Sequence, residues 1–186
     1  MKYPVTVYGD PVLRKKAKNI DANYPNLKEV IENMFETMYA SDGVGLAAPQ
    51  VDRSIRLFVI DASPFAEEEA KLVDFKKVFI NAEIIETKGE EWVMNEGCLS
   101  LPEIREDVSR PEEVTLRYFD ENFKEHQETF NGYAARVIQH EYDHTDGILF
   151  IDHLAPLRKR LLKGKLNNIA KGKVKPAYRI KSPVKR

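Results

Sequence analysis

Within Gln139-His140-Glu141-Tyr142-Asp143-His144, two imidazoles lie four positions apart with a carboxylate beside the first. One helical turn brings residues i and i+4 onto the same face. Two neutral His nitrogens can then share one divalent ion, with Glu141 close enough to take a proton from a water held by that ion. This is the chemistry of a metal-dependent hydrolase. A short pattern of this kind also arises in unrelated chains, and a buried helix can carry His for packing, so the neighbouring segments must decide. The helix is expected from about Tyr133 to Thr145, with Gly147 available to end it.

A catalytic site of this type needs a third ligand. Gly147 stands where a metzincin places its Gly, but Phe150 occupies the position where that family needs a His, and no Glu follows Glu141. Asp146, Asp152 and His153 remain open as ligands. The better candidate is Cys98, the single cysteine, in Glu96-Gly97-Cys98-Leu99-Ser100, because a thiolate binds iron or zinc strongly. A lone thiol cannot close an intramolecular disulfide; its bland alternative is a small buried hydrophobe.

A third segment, Gly43-Val44-Gly45-Leu46-Ala47-Ala48-Pro49-Gln50, combines two glycines, small residues and an amide. It lets main chain approach a ligand closely, and Gln50 can both donate and accept. The spacing is that of neither a dinucleotide fingerprint nor a P-loop. Taken alone, it reads equally as a loop running into a strand.

In this order the three segments resemble the signature motifs of the peptide deformylase family, and the resemblance extends to Asp10-Pro11-Val12-Leu13-Arg14 and across most of residues 1 to 157. It implies removal of the formyl group from N-formylmethionine of newly made chains, releasing formate. It makes Cys98, His140 and His144 the metal ligands, with water or hydroxide in the fourth position, and Glu141 the general base and then acid. Negative charge developing on the formyl oxygen would be met by the metal, the Gln50 amide and the Leu99 N–H. The peptide would lie extended beside Gly45 and Gly97, with Val44, Tyr133 and Val137 around the methionine side chain and Arg105 on the substrate backbone. The implied native metal is ferrous iron, with zinc, nickel or cobalt able to substitute.

Residues 26 to 40 place Leu27, Val30, Ile31, Met34, Phe35 and Met38 at helical spacing, and Ser41-Asp42-Gly43 stops the helix. Residues 55–60, 78–80 and 114–119 read as strands, while Gly89, Pro102 and Asn131-Gly132 punctuate loops and residues 64–71 form an acidic surface excursion. Strands gathered around one motif-bearing helix predict an α+β fold, and the resemblance agrees: mixed, largely antiparallel sheets packed around the central helix. Near the motif, Arg136 reads either as an anion-favouring group or as a salt bridge at the rim. Asp143 either orients an imidazole or is solvated, and Glu96 is a candidate partner for Arg110.

The chain has 186 residues and a formal charge of −1, which hides an asymmetry. From Arg158 onward there are 12 Lys or Arg and no acid, against 17 basic and 30 acidic residues before it. The expected organisation is a catalytic domain over 1–157 and a basic helix and tail over 158–186, part of that domain or appended to it. The tail helix is expected over residues 154–170, with Leu157, Leu161 and Leu162 touching the body. Such a surface attracts phosphate backbones, and bacterial members of the family dock a C-terminal helix beside the ribosomal exit, so ribosome contact is an expectation here. No apolar run is long enough to span a bilayer and no signal peptide opens the chain, so a bacterial cytoplasmic location is expected. No oligomer is implied. Two other classes compete: another metal hydrolase, disfavoured by Cys98 and the missing downstream ligands, and a ribosome- or RNA-binding module with a structural metal, which would need neither Glu141 nor Gln50.

Overall fold

A computed structural model describes residues 1–183; the last three residues of the basic tail, 184–186, lie outside the described residues. The elements are β1 (Val5–Thr6), α1 (Leu27–Ala40), β2 (Gly45–Ala47), β3 (Leu57–Asp61), β4 (Lys76–Gly97), β5 (Arg105–Phe119), β6 (Glu125–Asn131), α2 (Gly132–Thr145), α3 (Pro156–Ala170) and β7 (Ile180–Lys181), with short 3-10 turns between them. Strands β2-β3-β4-β5-β6 form one antiparallel sheet in chain order, and β1 pairs with β7 in parallel. The α+β expectation holds, with the His-bearing helix α2 packed on the sheet.

The sheet is covered on both faces where β3 crosses it, which explains the uninterrupted apolar run of that strand. Alternate side chains go to opposite sides. Phe58 and Ile60 join Phe79 and Ala82 of β4 in a core shared with Ala134, Ala135 and Ile138 of α2. Leu57 and Val59 join Val78 and Ile80 in a second core against Val30, Met34 and Met38 of α1. The stripe predicted for α1 is the face that is buried.

Two strands are much longer than residues 78–80 and 114–119 suggest. Strands β4 and β5 form a long hairpin, and Gly89 lies inside β4 rather than in a loop, at φ +82° beside the register shift between Lys88 and Glu91. Residues 85–91 of that strand are exposed or nearly so, and polar side chains on a solvated ribbon give no apolar alternation to detect.

Helix α2 ends in a Schellman motif: Gly147 N–H donates to the His144 carbonyl and Ile148 N–H to the Asp143 carbonyl. Gly147 has φ +75°, and a Cβ there would stand 2.7 Å from the Arg14 backbone. Helix α3 corrects one expectation. It docks through Leu162, Leu166 and Ile169 on Val7, Leu101, Val108 and Phe150, whereas Leu157 and Leu161 are 66% and 64% exposed. The i, i+4, i+7 stripe starting at Leu162 faces the body, and the other two leucines fall off it. No helix among the described residues is long and apolar enough to cross a membrane.

Replacing Gly147 by Ala combines a left-handed torsion with a backbone clash and should cost about 1–3 kcal/mol. Urea denaturation would show this as a lowered midpoint at unchanged slope, and an unaltered midpoint would contradict it.

Candidate metal centre and substrate cleft

Two parts of the fold deliver the three donor atoms. Cys98 follows the end of β4, and His140 and His144 project from one face of α2; their ligand atoms all lie within 4.8 Å of one another. Cys98 Sγ is 3.2 Å from His144 Nε2. Both imidazoles are buried. This is the group among the described residues able to hold a metal ion, and Asp146, Asp152 and His153 do not belong to it. Arg56 pairs with Asp146 and Arg14 with Asp152.

A buried carboxylate organises the ligands from behind. Glu96 accepts from Arg110 Nε at 2.7 Å, Arg110 Nη2 at 3.0 Å, Arg136 Nη1 at 2.9 Å and His140 Nδ1 at 2.9 Å. An ionised carboxylate only accepts, so the imidazole proton sits on Nδ1 and the free lone pair on Nε2. Burial alone would raise the Glu96 pKa, but His140 and Arg110 outweigh it and hold the carboxyl far below its ordinary 4.5. The Glu96–Arg110 pairing is therefore present. Arg136 forms the salt bridge, also donating to the Val108 and Trp92 carbonyls. Asp143 orients neither candidate ligand; it accepts from Arg110 at 2.8 Å and from His153 Nε2 at 2.7 Å.

Burial opposes a charge on His140, yet Cys98 and Glu96 raise its proton affinity well above the ordinary value, while burial lowers that of His144. A thiol and two buried imidazoles converging in this way form a donor set whose chemistry suits a divalent ion. The fit is supported by Glu141, buried with Oε2 lacking a hydrogen-bond partner among the described residues. Burial pushes its pKa up to about 7. A Cβ on Gly45 would stand 2.5 Å from Glu141 Oε1, which explains why no side chain occupies that position.

A cleft of about 350 Å³ opens over the cluster. Of the residues singled out in the sequence, Val44, Gly45, Gln50, Gly97, Cys98, Leu99, Arg105, Val137, His140 and Glu141 line it. Gln50 Oε1 accepts from the Ala47 N–H at 2.8 Å, which turns Nε2 toward Ser100 Oγ at 3.3 Å and Cys98 Sγ at 3.5 Å. Arg105 is held by Asn95. Tyr133 does not line the cleft: its ring stacks at 4.7 Å on Phe65, which does. Phe65 and Tyr178 were not found by sequence reasoning. The first sits in the excursion treated as surface, tied to the start of α2 by Glu69 accepting from Tyr133 N–H, and the second comes from the tail.

Comparison with known proteins agrees with the geometry. A family model described as polypeptide deformylase matches residues 2–160. The chain belongs to the peptide deformylase family. A peptide deformylase of Christiangramia forsetii is 56% identical over 190 residues, covering 98% of this chain and 97% of its own. One of Cytophaga hutchinsonii is 53% identical over the whole of both chains. The crystal structure of a peptide deformylase from Legionella pneumophila aligns with TM-score 0.80 at 36% identity, covering 93% of this chain and 98% of its own. That of Thermotoga maritima gives 0.75 at 45% identity, covering 84% and 99%. Metal-dependent deformylation of N-formylmethionine is the activity of this family, and the chain is a hydrolase of protein biosynthesis acting on formylmethionyl nascent peptides.

Because the Glu96 pKa is depressed by folding, its contribution to stability is complete above the ordinary 4.5 and is lost as pH falls toward the lower folded value. Between about pH 5 and pH 3 the wild-type denaturation midpoint should drop more steeply than that of Glu96→Gln, which should start about 3–5 kcal/mol less stable. Parallel curves for the two proteins would contradict this.

Proposed function

We propose that Cys98, His140 and His144 hold one divalent ion, natively ferrous iron, and that Glu141, Gln50 and the Leu99 N–H carry out deformylation around it. The observation that carries this reading is the buried Glu141 carboxylate, unpartnered at Oε2 among the described residues, beside a Cys, His, His donor set. Thiolate and imidazole accept iron, zinc, nickel or cobalt, so zinc, nickel and cobalt are expected substitutes. Bound there, the ion supplies a Lewis acid that polarises the formyl oxygen and acidifies a water.

The protein supplies the proton transfers and the geometry. Glu141 takes a proton from the attacking water and gives it to the departing amine nitrogen; burial has brought its pKa near the working pH, where both steps are served. Gln50 Nε2 and the Leu99 N–H donate to the formyl oxygen as charge develops on it, and the Ala47 N–H keeps the Gln50 amide from flipping. The substrate backbone lies extended between Gly45 and Gly97. Strand β2 is an edge of the sheet, so main-chain pairing on its open side would accept many sequences after methionine. Val44 and Val137 enclose the methionine side chain, Tyr133 acts there through Phe65, and Arg105 meets the substrate backbone.

The basic segment from Arg158 supports ribosome contact, since α3 leaves Leu157 and Leu161 exposed among Arg158, Lys159, Arg160 and Lys163. Residues 1–157 would then be the catalytic domain and 158–186 its basic helix and tail, working in a bacterial cytoplasm where formylated chains emerge.

Ferrous-loaded protein prepared without oxygen should release formate and free Met-Ala-Ser from formyl-Met-Ala-Ser, and chelation should abolish this. Glu141→Ala should keep the metal and lose about two to four orders of magnitude in kcat. Cys98→Ser should instead lower the metal content. Glu141→Ala with wild-type turnover would sink the assignment of that carboxylate. A Cβ at Gly45 would displace the Glu141 carboxylate, so Gly45→Ala should also lose turnover at full metal occupancy, checked by metal analysis and initial rates side by side.

A further inference from the structure

After α3 the chain turns at Lys171-Gly172 and returns across the body. The returning strand is fastened at several points. Val5 N–H donates to the Arg179 carbonyl at 2.9 Å, and β7 pairs with β1. The Lys181 ammonium reaches Asp52 at 2.6 Å, and Val174 and Ile180 pack on the apolar cluster around Val7, Leu101 and Phe150, which Cys98 also touches.

Between these fastenings Tyr178 enters the substrate cleft. Its hydroxyl donates to the Leu99 carbonyl at 2.7 Å, and its side chain lines the same space as Gln50, Cys98 and Glu141. Burial raises the phenol's pKa, with Cys98 and Glu103 adding to the effect, so the group remains a donor. The next carbonyl, that of Ser100, accepts from Tyr8 N–H at 2.8 Å, just beyond β1. Two successive carbonyls of the Cys98-Leu99-Ser100 segment are thus held by the two ends of the chain. That segment carries the thiol, the Leu99 N–H and the Ser100 hydroxyl that accepts from Gln50. The direction of the Leu99 N–H follows from the torsions of this short backbone piece, and a donor aimed at developing charge loses its effect when misaimed.

We propose that Tyr178 is a positioning residue for deformylation in this chain, fixing the Leu99-Ser100 backbone through its hydroxyl and walling the cleft with its ring. Turnover therefore depends on a segment lying beyond residues 2–160, where the family match ends. The proposal rests on the role given above to the Leu99 N–H.

The test uses the full chain with Tyr178→Phe, which removes only the hydroxyl, and Tyr178→Ala, which removes the wall as well. Metal per chain, kcat and KM for formyl-Met-Ala-Ser, and amide hydrogen exchange of residues 97–103 are measured on each. For Tyr178→Phe, exchange of that segment should quicken and kcat should fall about tenfold at unchanged KM and metal content. Tyr178→Ala should in addition raise KM several-fold. Wild-type exchange and kcat in Tyr178→Phe would overturn the proposal, as would a kcat loss that merely follows lost metal. If the wild-type protein itself releases no formate, the reading of the site fails and takes the catalytic role with it, while the exchange comparison still tests the anchor separately.

Discussion

The Glu96 carboxylate joins the strand that leads to the thiol to the helix that carries the imidazoles. It comes from β4, and it is met by Arg110 from β5 and by Arg136 and His140 from α2. A carboxylate this deep in the protein would be costly alone; here cationic and imidazole donors repay the desolvation, and removing the carboxylate would leave buried positive charge behind. The same contacts set which His140 nitrogen carries the proton and so which one faces Cys98. Sheet, helix and donor set are therefore fixed together.

Around that hub, each feature of the cleft depends on a close approach. Gly45 leaves room for the Glu141 carboxylate, and a Cβ at Gly97 would meet the Arg105 guanidinium at 2.7 Å. Gln50 is aimed by a backbone N–H, and the Leu99 and Ser100 carbonyls are held by Tyr178 and Tyr8. Little side-chain freedom remains near the donor set, so small freezing costs are left for the reaction itself.

Much of this was legible in local sequence, and the reason is periodicity. The α1 stripe, the β3 run and the i, i+4 imidazoles repeat with the spacing of the element that carries them. Residues 85–91 have no such signal because both faces of that ribbon meet solvent, so most of β4 went unseen, and β6, with only Phe130 buried, was missed with it. Helix α3 has several leucines, and only packing against Val7 and Phe150 selects Leu162, Leu166 and Ile169. Phe65 and Tyr178 reach the cleft through contacts between distant segments, which no local pattern encodes. The Tyr133 ring stacks on Phe65, which lines the cleft, so its place beside the cleft also depends on a contact between distant segments.

The central claim is that one thiolate from the turn after β4 and two imidazoles from α2 converge on a single metal ion. X-ray absorption at the zinc edge of zinc-loaded protein reads that donor set directly. The structure predicts one sulfur at about 2.3 Å with two imidazole nitrogens at about 2.0–2.1 Å and one further light atom. A shell of nitrogen and oxygen without sulfur would contradict it.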